Sequence, residues 1–349
     1  MKILRLYTRL PPLKGGMENH IEQLSKEQKK LGHDVTIYFN NGAKVSSKDI
    51  QITKFPLYKL KPQLLGVVSF HFLAFLRLIT NQEKFDIVHI HGDWSSLIFA
   101  KLINKIVGSK KLIMSIHDEL SGNLLSKKAL VVLLKKVDII FATGHGLAIQ
   151  LKKLTSKKVI VQPSGIRNIF FEQQSRSFNK KSLQVIIVAN LVKKKNLDLV
   201  IDIAKDLKLL NFILVGDGPE KEHLLNRVKY EDITNVEILG YKNSSELRLL
   251  YYESDIFMFT SLKEGTPTAM LEAMACGLPI VTSGAGGVES ILGNHNYITT
   301  KNDKKHFIDC ITELLKETNL MQDISNYNIS IAKSYTWVNV AKQIDKYIL

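Results

Sequence analysis

Residues 255–292, DIFMFTSLKEGTPTAMLEAMACGLPIVTSGAGGVESIL, place a strand, a loop and a helix in succession. The apolar run at 255–259 predicts a buried strand, and residues 261–267 predict a loop. Residues 268–276 are rich in Ala, Met and Leu, which favours a helix, and Gly277 ends it. The stretch therefore predicts one βα unit of an α/β fold.

The same alternation of strand and helix runs through both halves of the chain. Short apolar runs that predict strands occupy residues 2–7, 35–39, 87–90, 112–116, 139–142, 184–189, 212–215, 236–239, 256–259 and 279–282. Helix-length segments, such as 17–31 and 95–107, lie between them, which is typical of parallel sheets built from βαβ units. We predict two Rossmann-like βαβ domains that face each other across a cleft at the carboxyl ends of their strands.

The polar stretch 171–182, FEQQSRSFNKKS, has the composition of a linker. We therefore place one domain at residues 1–170 and a second at 183–325. The remaining residues, 326–349, are predicted to form a C-terminal helix that packs back on the N-terminal domain. No signal peptide and no run of eighteen apolar residues is visible, so we predict neither secretion nor a transmembrane helix.

Two carboxylates flank the start of the helix in the opening stretch. Glu264 ends the loop and Glu272 lies on the helix, with seven residues between them. Between them lies a helix N-terminus, whose unpaired N–H groups and dipole favour an anion. Two Glu residues at this spacing also occur on ordinary helices, so the spacing alone does not decide. A sugar nucleotide would nevertheless use both carboxylates and the helix N-terminus. Its sugar and ribose hydroxyls would bind the carboxylates, and its diphosphate would bind the helix N-terminus.

A nicotinamide enzyme is the main alternative for a Rossmann pattern. The first βα connection, TRLPPLKGGMEN, contains no G-x-G-x-x-G, and the turn GDGP at 216–219 lacks the third glycine. The dinucleotide fingerprint needs all three glycines for its turn and for the approach of the pyrophosphate. We therefore predict no nicotinamide cofactor. Cys276 and Cys310 form no metal motif and are predicted to be core residues.

The opening stretch, including EAMACGLPIV and GAGGVE, resembles the donor-binding signature of the retaining GT-B glycosyltransferases of family 4, also called glycosyl transferases group 1. That family carries Glu, seven residues, then Glu. The resemblance implies a GT-B fold, an acceptor-binding N-terminal domain and a C-terminal domain that binds a nucleotide-sugar. It also implies transfer of a hexosyl group, with retention, to a glycan or lipid-linked acceptor.

The resemblance implies a role for individual residues. Glu264 is expected to hold hydroxyls of the transferred sugar as a catalytic residue, and Glu272 to accept hydrogen bonds from the ribose. His117, at the end of a predicted strand, matches a catalytic histidine near the transferred sugar. The predicted donor-binding residues that surround the diphosphate are Gly15, Gly16, Lys195, Gly265, Thr266, Pro267, Thr268 and Ala269.

One position departs from the family pattern. The segment VIIVANLVKKKNLDLVIDIA resembles a strand, loop and helix in which an Arg and a Lys hold the donor phosphates. Lys195 matches the Lys, but Asn190 stands where the family has Arg, which removes a positive charge. This departure motivates an alternative, a catalytically silent GT-B-like partner subunit of another transferase. Three further histidines are weaker candidates. His89 and His91 could line the acceptor side, and His145 resembles a residue of the family at a helix start.

The positive charge lies in the N-terminal half. Residues 1–170 hold 27 Lys and Arg against 11 Asp and Glu, whereas the whole chain has a formal net charge of +15. Such asymmetry predicts an anionic partner, and the apolar segments 64–79 and 126–136 with their flanking lysines favour peripheral contact with an anionic membrane. The alternatives are an ordinary lysine-rich surface and core helices. No recognition helix or aromatic platform indicates nucleic acid.

The sequence contains no Asp-x-Asp triplet that would bind a divalent cation on a diphosphate. Backbone amides and Lys195 could meet that charge instead, so we predict no metal and no cofactor. The resulting expectation is a metal-independent glycosyltransferase of bacterial cell-surface polysaccharide biosynthesis. It is expected to be cytoplasmic and peripheral on the inner face of the cell membrane.

Overall fold

The computed structural model describes residues 1–11, 16–52, 63–117, 124–172, 176, 178, 183–265, 267–286, 288–293, 297–298 and 303–349. The chain divides into two units. One comprises Met1–Gly165 together with Trp337–Leu349, and the other comprises Ile166–Thr336. The change of unit falls before the predicted linker because Ile166 and Phe170 already pack with Phe257 and Met270 in the core of the second unit.

The N-terminal unit is built on seven parallel strands. Their order across the sheet is β3-β2-β1-β4-β5-β6-β7. The strands are β1 Lys2–Leu6, β2 Asp34–Phe39, β3 Ile50–Gln51, β4 Ile87–His91, β5 Lys111–Ile116, β6 Ile139–Ala142 and β7 Lys158–Val161. The central strands read as continuous Ile, Val and Leu runs because helices cover both faces of such a sheet.

In the described part of this unit, five helices come before Gly165. They are α1 Gly16–Lys30, α2 Gln63–Asn81, α3 Ala100–Val107, α4 Leu124–Leu134 and α5 His145–Lys152. The helix predicted at 95–107 is divided, since a 3-10 helix, Trp94–Leu97, begins where the Asp93 side chain accepts from the Ser95 N–H at 2.9 Å. In contrast to the prediction, Leu64–Asn81 is long and apolar enough to cross a membrane by length and composition, although 28% of it is buried.

The second unit carries six parallel strands in the order β10-β9-β8-β11-β12-β13. They are β8 Gln184–Val188, β9 Asn211–Val215, β10 Val236–Gly240, β11 Ile256–Phe259, β12 Ile280–Thr282 and β13 Tyr297–Ile298. Its helices are α6 Leu197–Asp206, α7 Lys221–Tyr230, α8 Ser244–Glu253, α9 Thr268–Ala275, α10 Glu289–Leu292, α11 Lys304–Lys316 and α12 Thr318–Ala332. Strand order changes direction between β8 and β11, the kind of position at which α/β sheets bind ligands.

The C-terminal residues form two helices where one was predicted at 326–349. Helix α12 ends at Ala332, and Thr336 adopts extended backbone, with φ −61° and ψ 149°, before α13, Trp337–Ile348. Helix α13 belongs to the N-terminal unit, where Trp337 and Ile344 pack in one cluster with Ile3 and Ile21. The extended residue allows the chain to leave one unit and enter the other.

Candidate active site

The predicted sugar-binding carboxylate, Glu264, is paired with Lys195. The two side chains form an ion pair, and they are only 11% and 13% exposed, respectively. Ser261 also donates its hydroxyl to Glu264 Oε1 at 3.0 Å. The loop after β11 therefore presents a carboxylate that is already oriented by two donors.

Backbone contacts hold the two partners of this ion pair together. Lys195 ends a 3-10 turn, Lys193–Lys195, that follows β8. The Thr260 hydroxyl donates to the Lys195 carbonyl at 2.9 Å, and the Leu262 N–H donates to the Lys194 carbonyl at 2.9 Å. Because β8 and β11 are neighbouring strands, the loops at their carboxyl ends form one continuous surface.

Helix α9 begins immediately after this loop. Pro267 is its N-cap, and no side chain caps the helix. The N–H groups of Thr268 and Ala269 lie in the first turn, where the helix itself supplies no acceptor, so they are available to an anion. Gly265 is described and Thr266 lies outside the described residues.

The glycine-rich loop after β12 approaches the same place. Gly286 has φ +88°, and a Cβ there would lie 2.2 Å from the Gly265 carbonyl oxygen and 3.1 Å from Glu264 Cβ. Only glycine combines this backbone conformation with so close an approach. Gly286 therefore packs directly against the Glu264–Gly265 backbone.

Glu272 lies just over one turn into α9, next to Tyr251 and Arg167. Burial raises the pKa of its carboxyl to about 7. The charge of Arg167 and a hydrogen bond from Tyr251 lower this pKa but do not offset the effect of burial. Tyr251 also donates to the Ala269 carbonyl at 3.2 Å, and Arg167 donates to the Ser244 hydroxyl at 2.6 Å. Glu272 is thus a largely buried carboxyl whose charged form is disfavoured by its surroundings.

Asn190 is exposed in the loop after β8. Its carbonyl accepts from the Val192 N–H at 2.9 Å, and the adjoining Leu191 N–H donates to the Asp217 carbonyl at 2.9 Å. Lys193 and Lys194 are also exposed, and neither is paired with Glu264 in the way Lys195 is. Lys195 is therefore the cation of the KKK run that the loop holds in place.

The predicted glycine loop of the N-terminal unit is described in part. Gly15 lies outside the described residues, whereas Gly16 is the first residue of α1, and a Cβ there would meet nothing within 4 Å. Glu18 lies in the same first turn, buried, and pairs with Arg9 at 2.9 Å. The positive end of α1 consequently faces a carboxylate of its own chain, which the sequence pattern did not indicate.

His117 follows β5 in a cluster of histidines. Its Nε2 lies 3.2 Å from His91 Nδ1, and its carbonyl accepts from the Thr143 hydroxyl at 2.9 Å. Burial lowers the pKa of the His117 ring to about 4. The ring is therefore neutral at physiological pH and can exchange hydrogen bonds with a sugar, but it is not a cation.

The weaker histidine candidates occupy different surroundings. His89 and His91 are buried on β4, where their rings stack with centroids 4.1 Å apart, and His89 Nε2 pairs with the Ser115 hydroxyl at 2.8 Å. His145 is the first residue of α5. The structure thus brings His91 next to His117.

Three contributors to the donor-side arrangement were missed by sequence reasoning. They are Ser261, which donates to Glu264, and Arg167 and Tyr251, which adjoin Glu272. Ser261 lies within the motif and could have been found from its position at the end of a strand. Arg167 and Tyr251 come from distant segments and carry no local signal.

Comparison with known proteins identifies both units. The model for glycosyltransferase family 4 matches residues 14–167, and the model for glycosyl transferases group 1 matches residues 168–330. The gpi3 subunit of phosphatidylinositol N-acetylglucosaminyltransferase from Schizosaccharomyces pombe is 24% identical, over 96% of this chain and 77% of its own length. A phosphatidylinositol N-acetylglucosaminyltransferase subunit from Homo sapiens is 28% identical, over 96% of this chain and 73% of its own length.

The fold matches a solved structure over the full chain. Anabaena HepE in complex with UDP-glucose superposes with a TM-score of 0.77 at 19% identity, covering 100% of this chain and 99% of that chain. The predicted GT-B fold is confirmed. Together the two family models account for nearly the whole sequence, one for each half. The chain therefore belongs to the GT-B glycosyltransferases of family 4, the glycosyl transferases group 1, and is a transferase enzyme.

Proposed function

We propose that the enzyme transfers N-acetylglucosamine from UDP-N-acetylglucosamine, with retention, to a lipid-linked acceptor at a membrane surface. The observation that carries this proposal is the ion pair between Lys195 and Glu264 beside the free N-terminus of α9. This arrangement supplies a sugar-binding carboxylate, a cation and backbone N–H groups within one unit. Glu272, further along α9, supplies the ribose acceptor.

The reaction breaks the bond between the sugar anomeric carbon and the β-phosphate oxygen, and UDP leaves with the electron pair. A hydroxyl oxygen of the acceptor forms the new bond to that carbon, and its proton passes to the departing phosphate. Lys195 and the N–H groups of Thr268 and Ala269 stabilise the charge on the leaving diphosphate. Glu264 accepts from the sugar hydroxyls, and the neutral His117 ring contacts the transferred sugar, as the family resemblance implies.

The names of similar proteins support the choice of donor. Both relatives described above are phosphatidylinositol N-acetylglucosaminyltransferase subunits, and HepE was solved with UDP-glucose. The names of the two relatives supply the N-acetylglucosamine group of the proposed donor, and the HepE complex supplies its uridine nucleotide. They also favour a phospholipid acceptor over a soluble glycan.

The surface of the N-terminal unit supports an acceptor in a membrane. Helix α2 buries Phe70, Ala74 and Leu78 but exposes an apolar face, whose most exposed members include Leu65 at 52% and Ile79 at 44%. One buried face anchors the helix to the core, so we propose that α2 lies along a bilayer surface without crossing it.

Helix α4 adds positive charge near this apolar face. Leu130 and Leu134 are buried, Val132 is 58% exposed, and the paired lysines Lys127–Lys128 and Lys135–Lys136 are exposed. Both α2 and α4 pack against the 3-10 helix Trp94–Leu97, so the apolar and basic features belong to one region. Anionic lipid attracts such a surface.

The pathway and the cellular location of the enzyme are also proposed. The relatives named above come from eukaryotes and act in phosphatidylinositol glycosylation by name, whereas the sequence led us to expect assembly of a bacterial surface polysaccharide. A lipid-linked acceptor fits both settings. We therefore propose a cytoplasmic enzyme, peripheral on the inner face of the membrane, whose acceptor carries a lipid.

Thermal unfolding with a panel of nucleotide sugars tests the donor, because a bound ligand raises the melting temperature by mass action. UDP-N-acetylglucosamine should give the largest rise, followed by other UDP-sugars, with ADP- and GDP-sugars ineffective. Slow release of UDP without an acceptor should accompany it and should disappear in the Glu264→Gln variant. No stabilisation by any nucleotide sugar, together with no UDP release, would instead favour a silent partner subunit.

A further inference from the structure

Three histidines of the N-terminal unit converge on one point. His20 comes from α1, His91 from the end of β4 and His117 from the end of β5, and one ring nitrogen from each lies within 4.8 Å of the others. The His20 and His117 rings meet edge to face, with centroids 4.7 Å apart. Three separate elements therefore direct imidazoles into the same buried space.

The spacing of the nitrogens is that of a metal centre. His91 Nδ1 and His117 Nε2 lie 3.2 Å apart. In a tetrahedral zinc site with Zn–N bonds of about 2.0–2.1 Å, two ligand nitrogens are about 3.3–3.4 Å apart. The third nitrogen, from His20, lies within 4.8 Å of these two.

Contacts outside the cluster hold one of its rings by a hydrogen bond and a second by stacking. His20 Nδ1 lies 2.9 Å from the Ser164 hydroxyl, which leaves Nε2 as the ring nitrogen available to the cluster. His89 stacks on His91 and is itself held by Ser115. Such second contacts fix the rotamer and tautomer of histidine ligands in metal sites.

One polar atom in the cluster has no protein partner among the described residues. His91 is 1% exposed, and its Nε2 is buried without a hydrogen bond. The nitrogen that faces His117 is Nδ1, so His91 would bind the ion through Nδ1 and carry its proton on the buried Nε2.

The chemistry of the donors selects the metal. Neutral imidazoles are good ligands for zinc and poor ones for magnesium or calcium, which prefer oxygen. The buried Arg5 side chain lies near this cluster, and its charge opposes a bound cation, so only a metal with strong affinity for imidazole would bind.

We propose that His20, His91 and His117 form a binding site for Zn²⁺ or a similar transition-metal ion. The site shares His117 with the proposed transferase site, so we expect the ion to inhibit transfer and not to assist it. Because the metal occupies a ring nitrogen of His117, it prevents that ring from contacting the sugar. Zinc therefore inhibits the enzyme, a consequence that rests on the proposed role of His117.

Calorimetric titration of the chelator-treated full-length protein with Zn²⁺ tests the site, and Co²⁺ absorption reports its geometry. The parent protein should bind one ion, with the intense visible bands of tetrahedral Co²⁺. His20→Gln and His91→Gln should each weaken Zn²⁺ binding by at least about tenfold. The matched control, His306→Gln on α11, should bind like the parent.

The melting temperature of each variant without metal shows whether it folds. If His91→Gln does not fold, His20→Gln alone decides. Parent protein that binds no Zn²⁺, or variants that bind like the parent, would overturn the proposal. Stabilisation by UDP-N-acetylglucosamine in zinc-free protein tests the transferase proposal separately, so the two can fail independently.

Discussion

Lys195 and Glu264 lie 69 residues apart in the chain and form an ion pair in which both side chains are nearly buried. The pair joins the loop after β8 to the loop after β11. In this arrangement Lys195 neutralises the negative charge of the Glu264 carboxylate, which is proposed to hold the sugar. The same cation is proposed to meet the leaving diphosphate, so the pair couples sugar binding to departure of UDP.

Lys195→Ala should lower both turnover and the affinity for UDP. The substitution removes a charged donor, worth about 1.5–3 kcal/mol, and leaves the Glu264 carboxylate unpaired beside the phosphate. We expect each quantity to fall by about ten- to a hundredfold. Initial rates and calorimetric titration with UDP measure the two effects. Lys208→Ala, an exposed lysine between α6 and β9, is the control, and a Lys195→Ala enzyme that matched it would contradict the role.

The strands and most helices could be predicted from sequence because each is a local pattern. Buried parallel strands are continuous apolar runs, and residues 139–142 and 256–259 were predicted with the bounds that the structure shows. The edge strands β3 and β13, each two residues long, have no such run. The break before Trp337 was also missed, since it depends on which unit α13 packs against.

The donor-side residues could be predicted only where they share one motif. Glu264 and Glu272 flank a single helix start, but the pairing of Glu264 with Lys195 depends on strand order, which local sequence does not specify. The approach of Arg167 to Glu272 and of His20 to His117 likewise depends on tertiary packing. Such contacts combine residues whose local sequences carry no shared signal.

The stability of the enzyme should respond to pH through Glu272. Its folded pKa is about 7, above the ordinary value of 4.5, so the unfolded chain releases this proton at lower pH than the folded one. The contribution of Glu272 to the free energy of unfolding is therefore fully present below about pH 4.5 and is lost as pH rises to about 7. The melting temperature of the parent minus that of Glu272→Gln should fall across this interval and then level off. A constant difference would show that Glu272 has an ordinary pKa.

Transfer should not require a divalent metal. Lys195 and the first N–H groups of α9 are proposed to meet the charge of the leaving diphosphate, so excess chelator should leave the rate unchanged or raise it by removing inhibitory zinc. The measurement is the initial rate after dialysis against chelator, before and after addition of Mg²⁺ or Mn²⁺. Activity that is lost on dialysis and restored by either ion would contradict this account of the phosphate site.

Binding to anionic membranes should depend on the lysines of α4 and of the turn that follows it. Each basic residue near an anionic surface contributes about 1 kcal/mol, so replacing four with Gln should weaken vesicle binding by several kcal/mol. The substituted residues are Lys127, Lys128, Lys135 and Lys136. Sedimentation with vesicles rich in anionic lipid measures the effect, and salt should release the parent protein. Turnover on a soluble acceptor analogue should barely change.

A charge-matched variant of the second unit controls for net charge in this experiment. It replaces four exposed lysines, Lys208, Lys229, Lys305 and Lys316, with Gln. This variant should bind vesicles nearly as the parent does. If both quadruple variants bind equally, the contact is not localised to α4, and the basic surface of the N-terminal unit requires another explanation.

Calorimetric titration of UDP into Glu272→Ala and Glu264→Gln tests the central claim, that the two carboxylates contact different parts of the donor. Glu272→Ala should weaken UDP binding by about ten- to a hundredfold, as expected for loss of a hydrogen bond to a carboxylate. Glu264→Gln should not weaken UDP binding, because Glu264 is proposed to contact the sugar, and its loss should appear in turnover. Glu222→Gln on α7 is the control. UDP affinities that are the same in both variants and in the control would contradict the assignment of this site.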